Sequence, residues 1–326
     1  MTTLLLYALT VVIWGTTWIM MKYQLGEVAP AASLTYRYAA AGVIVLLGAW
    51  SFGRRIRLNR REHLFCMLQG ALMFSVNYWL TYLAAEHLTT GIISVFFAGA
   101  AAITMMLSAV LLRRVPTIRA MFGACLGICG IALVFWPEVE RISLDGPIII
   151  SGLILILSVC LFSTGGLVGA RNLRSGMPRF GTIGWAMLYG SVVMAGVTLL
   201  RGETFGFSFG TGYLLSLAGL TLLGSVAVFV LYFTVIERIG PEKASYATVL
   251  FPLVALGVST FAEGYTWPTL ALIGVPLALV GNGLVLSERP SPAPAPGTPG
   301  EPEPGEWPLN IVDLPEDGGG VTRDTT

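Results

Sequence analysis

The sequence predicts an all-α membrane protein: ten transmembrane helices forming two inverted five-helix repeats, with both termini on the cytoplasmic side. Three observations carry this expectation. Ten apolar stretches of about twenty residues succeed one another, arginine and lysine crowd onto one side of them, and the two halves of the chain match in register.

A hydrocarbon core about 30 Å thick is crossed by about 20 helical residues rising 1.5 Å each. Stretches long enough for this fall at 3–21, 31–52, 64–83, 89–112, 119–136, 147–169, 180–200, 211–236, 244–262 and 268–286. They are apolar all round rather than along one face, and too long for core strands. Charged residues make up 11% of the chain, against about 25% in soluble domains, and mean hydropathy is +0.77. The first stretch has no basic segment before it and no small-residue cleavage pattern after it, so it reads as a retained helix rather than a signal peptide.

The basic residues set the orientation. Arg54, Arg55, Arg57, Arg60 and Arg61 follow span two; Arg113, Arg114 and Arg119 follow span four. Arg171, Arg174 and Arg179 follow span six, Arg238 and Lys243 follow span eight, and Arg289 and Arg323 lie in the tail. Only Lys22, Arg141 and Arg201 fall on the opposite side, and Arg37 alone lies within a span. The positive-inside rule then puts both termini in the cytoplasm. Confinement of basic residues to short flanking connections gives no footprint for nucleic acid.

From position 288 the composition changes to proline, glycine and acid, with 9 of the 18 prolines. Such a segment buries too little apolar area to offset its ordering entropy and is expected to be a disordered cytoplasmic tail, 288–326. Cys66, Cys125, Cys129 and Cys160 all fall within spans and read as buried free thiols. Four such cysteines with two distant histidines give no metal site, and no cofactor motif is present.

Shifting the chain by about 150 residues lays one half on the other. Tyr82 falls on Tyr232, the connection AAEHLTTG on VIERIGPE, and, with a one-residue gap, Gly123 and Gly130 meet Gly274 and Gly281. Pro30, seven residues before Arg37, corresponds to Pro178, seven before Trp185. Two units of five spans each, 1–140 and 141–287, must sit in opposite orientations. Inverted repeats of this kind are common in secondary transporters, with the substrate site near the midplane between them.

Several segments carry a family resemblance. WGTTWIMMK (Trp14 to Lys22) and SLTYRY around Arg37 are similar to the first and second helices of the EamA family in the drug/metabolite transporter superfamily. GACLGICGIALVF and GVPLALVGNGLVL resemble the glycine-spaced last helix of each EamA repeat, and Glu263 matches an acidic residue placed late in a repeat's fourth helix. The first half departs there, with Arg114 at the equivalent position. The resemblance covers residues 3–287 and implies a ten-helix transporter in the inner membrane, exporting amino acids, other small metabolites or drugs.

Ionisable groups inside a membrane are costly, at about 2.5–3.5 kcal/mol each on insertion scales, so Arg37 needs a reason to be there. A guanidinium facing a cavity binds a carboxylate bidentately, whereas one at this depth can also snorkel or cap backbone carbonyls. Span three offers Asn77 and Tyr78, an amide and a phenol suited to a cavity wall or to interhelical hydrogen bonding. Trp14 and Thr17 in span one, Phe162 in span six and Tyr246 in span nine complete the candidate cavity. Gly165, Gly166 and Pro252 are candidates for helix bending.

These residues favour a transporter of small molecules embedded in the lipid bilayer. Neither His63 nor His87 joins a catalytic constellation within the spans, which disfavours an intramembrane enzyme. The sequence has no GxxxxGK[ST] phosphate loop, and a scaffold acting through the proline-rich tail is the remaining alternative. The charge asymmetry makes a direct prediction. With the native cysteines replaced by alanine, single cysteines at Leu58 and Gly176 should react with an impermeant maleimide only from the cytoplasmic side, and one at Glu140 only from outside. External labelling at position 58 in intact cells would overturn the orientation.

Overall fold

The computed structural model describes residues 1–24, 26, 28–111, 116–140, 146–263 and 267–287. The tail from 288 onward and Arg113, Arg114 and Arg141 lie outside these residues, as do the side chains of Trp18, Lys22 and Glu263. The described chain is helical, with no strand among the described residues. Its helices are α1 (Thr3–Lys22), α2 (Pro30–Ser51), α3 (Arg60–Ala84), α4 (Gly91–Val110) and α5 (Ile118–Val134), then α6 (Gly146–Arg174), α7 (Arg179–Leu200), α8 (Thr211–Ile239), α9 (Ala247–Glu263) and α10 (Ala271–Leu286). Short helices at Trp136–Glu140 and Pro241–Ser245 lie between them. Six of them (α2, α3, α4, α6, α7 and α8) are long and apolar enough to cross a bilayer, giving a multi-pass helical membrane fold.

Local chemistry moves several boundaries away from the hydropathy reading. Helix α3 starts at Arg60 rather than 64 because Asn59 and Glu62 form a reciprocal capping box, satisfying backbone donors ahead of the apolar run. Helix α6 continues past 169 to Arg174, placing Arg171 and Arg174 in its last turn, where cations complement the helix dipole. Span nine divides into Pro241–Ser245 and α9, preceded by Gly240 at φ 85°, a left-handed conformation in which a Cβ would be strained.

Helices α3 and α8 each contain a π-helical segment, Leu72–Val76 and Leu222–Ala227. Ser75 and Ser225 sit at matching places within them. Each hydroxyl donates to the carbonyl five residues earlier: Ser75 to Gly70 at 3.1 Å and Ser225 to Leu220 at 3.0 Å. The segment starts, Leu72 and Leu222, are 150 residues apart, as are Tyr82 and Tyr232.

The closest helix pairs are α5 with α10 and α2 with α7. Between α5 and α10 backbone meets backbone. A Cβ on Gly130 would stand 2.6 Å from the Gly274 carbonyl oxygen, and one on Gly281 2.5 Å from that of Gly123. The four glycines matched in the sequence thus face each other across one antiparallel seam. Helix α1 packs on α8 and α9, and α6 on α3 and α4, which is the same relation five helices on. Asn282 of α10 donates to the Tyr7 hydroxyl of α1 at 2.8 Å.

Several polar contacts collect at one end of the bundle. Arg238 donates to the Met1 carbonyl at 3.1 Å, Arg179 pairs with Glu237, and the Trp185 indole donates to the Ile56 carbonyl at 3.0 Å. Arg119 reaches the Ser287 hydroxyl at 2.8 Å. The cysteine reading needs correction: Cys66 is buried, but Cys125 and Cys129 are exposed on the outer face of α5, because the inner face is given over to the glycine seam.

The seam predicts unequal responses to a single methyl group. Gly281→Ala should lower stability by about 1–3 kcal/mol, the usual cost of overpacking. Gly283→Ala, whose Cβ meets nothing within 4 Å, should be neutral or slightly stabilising. Thermal unfolding of both purified variants in detergent checks the difference.

Candidate functional site

Gly15, between Trp14 and Thr17, lets α1 lie directly on α9. A Cβ there would stand 2.5 Å from Val254 Cβ and 2.8 Å from the Phe251 carbonyl oxygen. This contact brings Trp14, Thr17 and Met21 of α1 beside Thr248 and Phe251 of α9, around an internal cavity. Arg37 of α2, Tyr78 and Thr81 of α3, Phe97 of α4, Phe162 of α6 and Leu220 of α8 complete its wall. The free space is small, about 50 Å³ for the centre of a water-sized sphere, room for only a few waters. A solute of metabolite size requires the wall to move apart.

One side of the cavity is aromatic. Trp14 packs against Phe162, Phe229, Tyr232 and Phe251 with ring centroids 5.9, 5.5, 4.9 and 6.2 Å away. Phe162 in turn meets Phe97 at 6.0 Å. Edge-to-face and tilted geometries of this kind add to the area buried. The wall hydroxyls are turned toward their own helices. Thr17 donates to the Trp14 carbonyl at 2.7 Å, Thr81 to that of Asn77 at 2.8 Å and Thr248 to that of Ser245 at 2.7 Å.

Arg37 supplies the charge. It is 3% exposed, with Nε donating to Ser225 Oγ at 2.8 Å and Nη2 to the Gly224 carbonyl at 2.9 Å. Both acceptors belong to the π-helical segment of α8. A π turn offsets the ordinary backbone pairing, and here its carbonyl is available to a side chain. The guanidinium carbon also lies 5.1 and 5.2 Å from the ring centres of Tyr38 and Tyr78, within cation–π range. Among the described residues no carboxylate pairs with Arg37.

The model of the EamA-like transporter family matches residues 1–136 and again 150–287. The chain belongs to the EamA-like transporter family. An uncharacterized transporter of Archaeoglobus fulgidus is 26% identical over 86% of this chain and 98% of its own length. Protein PecM of Dickeya dadantii is 26% identical over 75% and 78%, and the inner membrane transporter YedA of Escherichia coli is 26% identical over 84% and 89%. A protein crystal structure at 13% identity superposes with a TM-score of 0.72 over 86% of this chain and 95% of its own, which shows a shared fold. A membrane transporter of this family works on a small-molecule substrate within a lipid bilayer.

Five of the expected residues in this EamA protein share the cavity: Trp14, Thr17, Arg37, Tyr78 and Phe162. Asn77 and Tyr246 do not line it. Adjacent helical residues diverge by about 100°, so Asn77 cannot share the direction of Tyr78. Asn77 is fully enclosed, its side-chain amide atoms have no hydrogen-bond partner among the described residues, and its backbone carbonyl accepts from Ser158 at 2.7 Å. Tyr246 stands in the turn before α9 and bridges to α5, its hydroxyl donating to the Ala120 carbonyl at 3.1 Å. Helix α6 runs unbroken through Gly165 and Gly166. A Cβ at Gly165 would lie 2.7 Å from Met73 Cβ, so this glycine admits the π segment of α3. Pro252 is buried inside α9, one residue beyond the cavity residue Phe251.

Sequence reasoning missed Met21, Thr81, Phe97, Leu220 and Phe251 as wall residues, and Gly224 and Ser225 as partners of Arg37. A signal existed for the last pair: Ser225 falls 150 residues after Ser75 in otherwise apolar spans. Ser225→Ala should cost about 1–3 kcal/mol, since it strips a buried cation of an acceptor. Ser75→Ala, where the hydroxyl serves only backbone carbonyls, should cost less. Thermal melts of the two variants measure the difference.

Proposed function

We propose that the chain is a secondary transporter that moves small solutes across the cytoplasmic membrane by alternating access. In this reading ten spans form two inverted halves, 1–140 and 141–287, with both termini in the cytoplasm. The observation that carries it is a cavity whose wall is drawn from both halves, with Arg37 of the first bonded to the π segment of the second. Two conformations exchanged between inverted halves open such a cavity to each side in turn. The double match to the family model and the repeated π segments support the duplication.

The contacts suggest a division of labour. The glycine seam between α5 and α10 is backbone on backbone and suits a fixed base. The π segments and the buried Pro252 are places where helical hydrogen bonding is already interrupted and bending is cheap. Among the described residues the cavity wall carries no carboxylate. Facilitated movement or exchange therefore fits better than proton antiport through a buried acid. Export is the direction the family resemblance implies.

Reconstitution into liposomes with a panel of labelled amino acids and metabolites tests this reading. Tyr78→Ala should reduce flux about tenfold, equivalent to about 1.4 kcal/mol of lost binding, with a melting temperature near that of the parent. Truncation after Ser287 should leave flux nearly unchanged. A cavity variant that behaves like the parent, alongside a truncation that abolishes function, would favour a scaffold acting through the tail.

A further inference from the structure

Resting on the transport reading, we propose that the cavity selects amphipathic monoanions: one carboxylate or similar head held by Arg37, on an aromatic or aliphatic body held by Trp14, Phe97, Phe162 and Phe251. Zwitterions and cations with the same body are excluded.

A guanidinium stays protonated at any working pH and offers five N–H donors. Here Nε and Nη2 donate to a hydroxyl and a carbonyl, and the Tyr78 side chain also bonds to the guanidinium, so every partner is neutral. Partial charges on one hydroxyl, one carbonyl and two ring faces surround a full positive charge at the cavity wall. These three contacts are fewer than the five donors and none carries a charge, which leaves the guanidinium able to grip one planar anion.

The rest of the wall decides against a second charge. None of the described wall residues is acidic, so the ammonium of a zwitterion, fixed within a few ångströms of its carboxylate, would meet rings and methyl groups with no counter-charge. The hydroxyl hydrogens of Thr17, Thr81 and Thr248 are committed to backbone carbonyls, leaving Arg37 as the wall's strong donor toward a head group. A neutral head leaves the cation unneutralised. One positive charge set in an otherwise apolar wall therefore specifies one negative charge on an otherwise apolar solute.

Matched probes read this out. For phenyl, indole and butyl bodies, the carboxylate, the amino acid, the amine and the alcohol are titrated calorimetrically into purified protein in nanodiscs, and their flux is followed in liposomes. The carboxylate should bind about ten- to a hundredfold more tightly than its partners, the range expected for a charged hydrogen-bonded pair. Arg37→Gln should abolish that preference, and Arg37→Lys should retain part of it by charge without the planar fork. Equal affinity for carboxylate and amino acid, no carboxylate binding for any body, or an intact preference in a folded Arg37→Gln protein would overturn the proposal. Should Arg37→Gln fail to fold, the parent's ranking of the probes remains decisive. Carboxylate binding without flux of any solute would support the anion site and sink the transport reading. Flux without charge preference would sink the anion site alone.

Discussion

Hydrocarbon supplies no hydrogen bonds, and this constraint governs the architecture. Every backbone N–H and C=O must find its partner inside the protein, which drives the chain into continuous helices. Lipid tails are as apolar as leucine, so the helices gain little from hiding apolar faces and must associate by close packing instead. The α5–α10 seam meets that demand directly: Gly123, Gly130, Gly274 and Gly281 let two backbones approach within contact distance. Gly42 and Gly184 do the same where α2 crosses α7, each close to the other's carbonyl oxygen.

Where helical bonding is interrupted, the interruption has a use. The π segment of α8 presents the Gly224 carbonyl and the Ser225 hydroxyl to Arg37, so a backbone irregularity in one half stabilises a cation in the other. The two halves differ at this point. Trp185, the counterpart of Arg37 in the proposed duplication, caps the Ile56 carbonyl with its indole at the end of the bundle. Among the described residues, charge enters the cavity wall from α2.

Membrane character, the glycine spacing and the cavity residues Trp14, Thr17, Arg37, Tyr78 and Phe162 were legible in the sequence, because each is a departure from uniform apolarity. A run of twenty apolar residues has one physical destination, and a lone arginine within it marks a place where polarity is needed. Cavity residues that look like ordinary lipid-facing or core residues were not legible. Met21, Phe97, Leu220 and Phe251 differ from dozens of similar residues only in direction.

Sequence alone determined the class of the protein and the approximate helix boundaries, since hydropathy and spacing are local properties. Tertiary structure decided which face of each helix turns inward. It sent Tyr78 into the cavity and enclosed its neighbour Asn77 away from it, and it bound Tyr246 to α5 rather than to the cavity. It also paired Arg37 with a hydroxyl 188 residues away in sequence. Helix rotation and π-turn register depend on how ten helices fit together, and no single span carries that information.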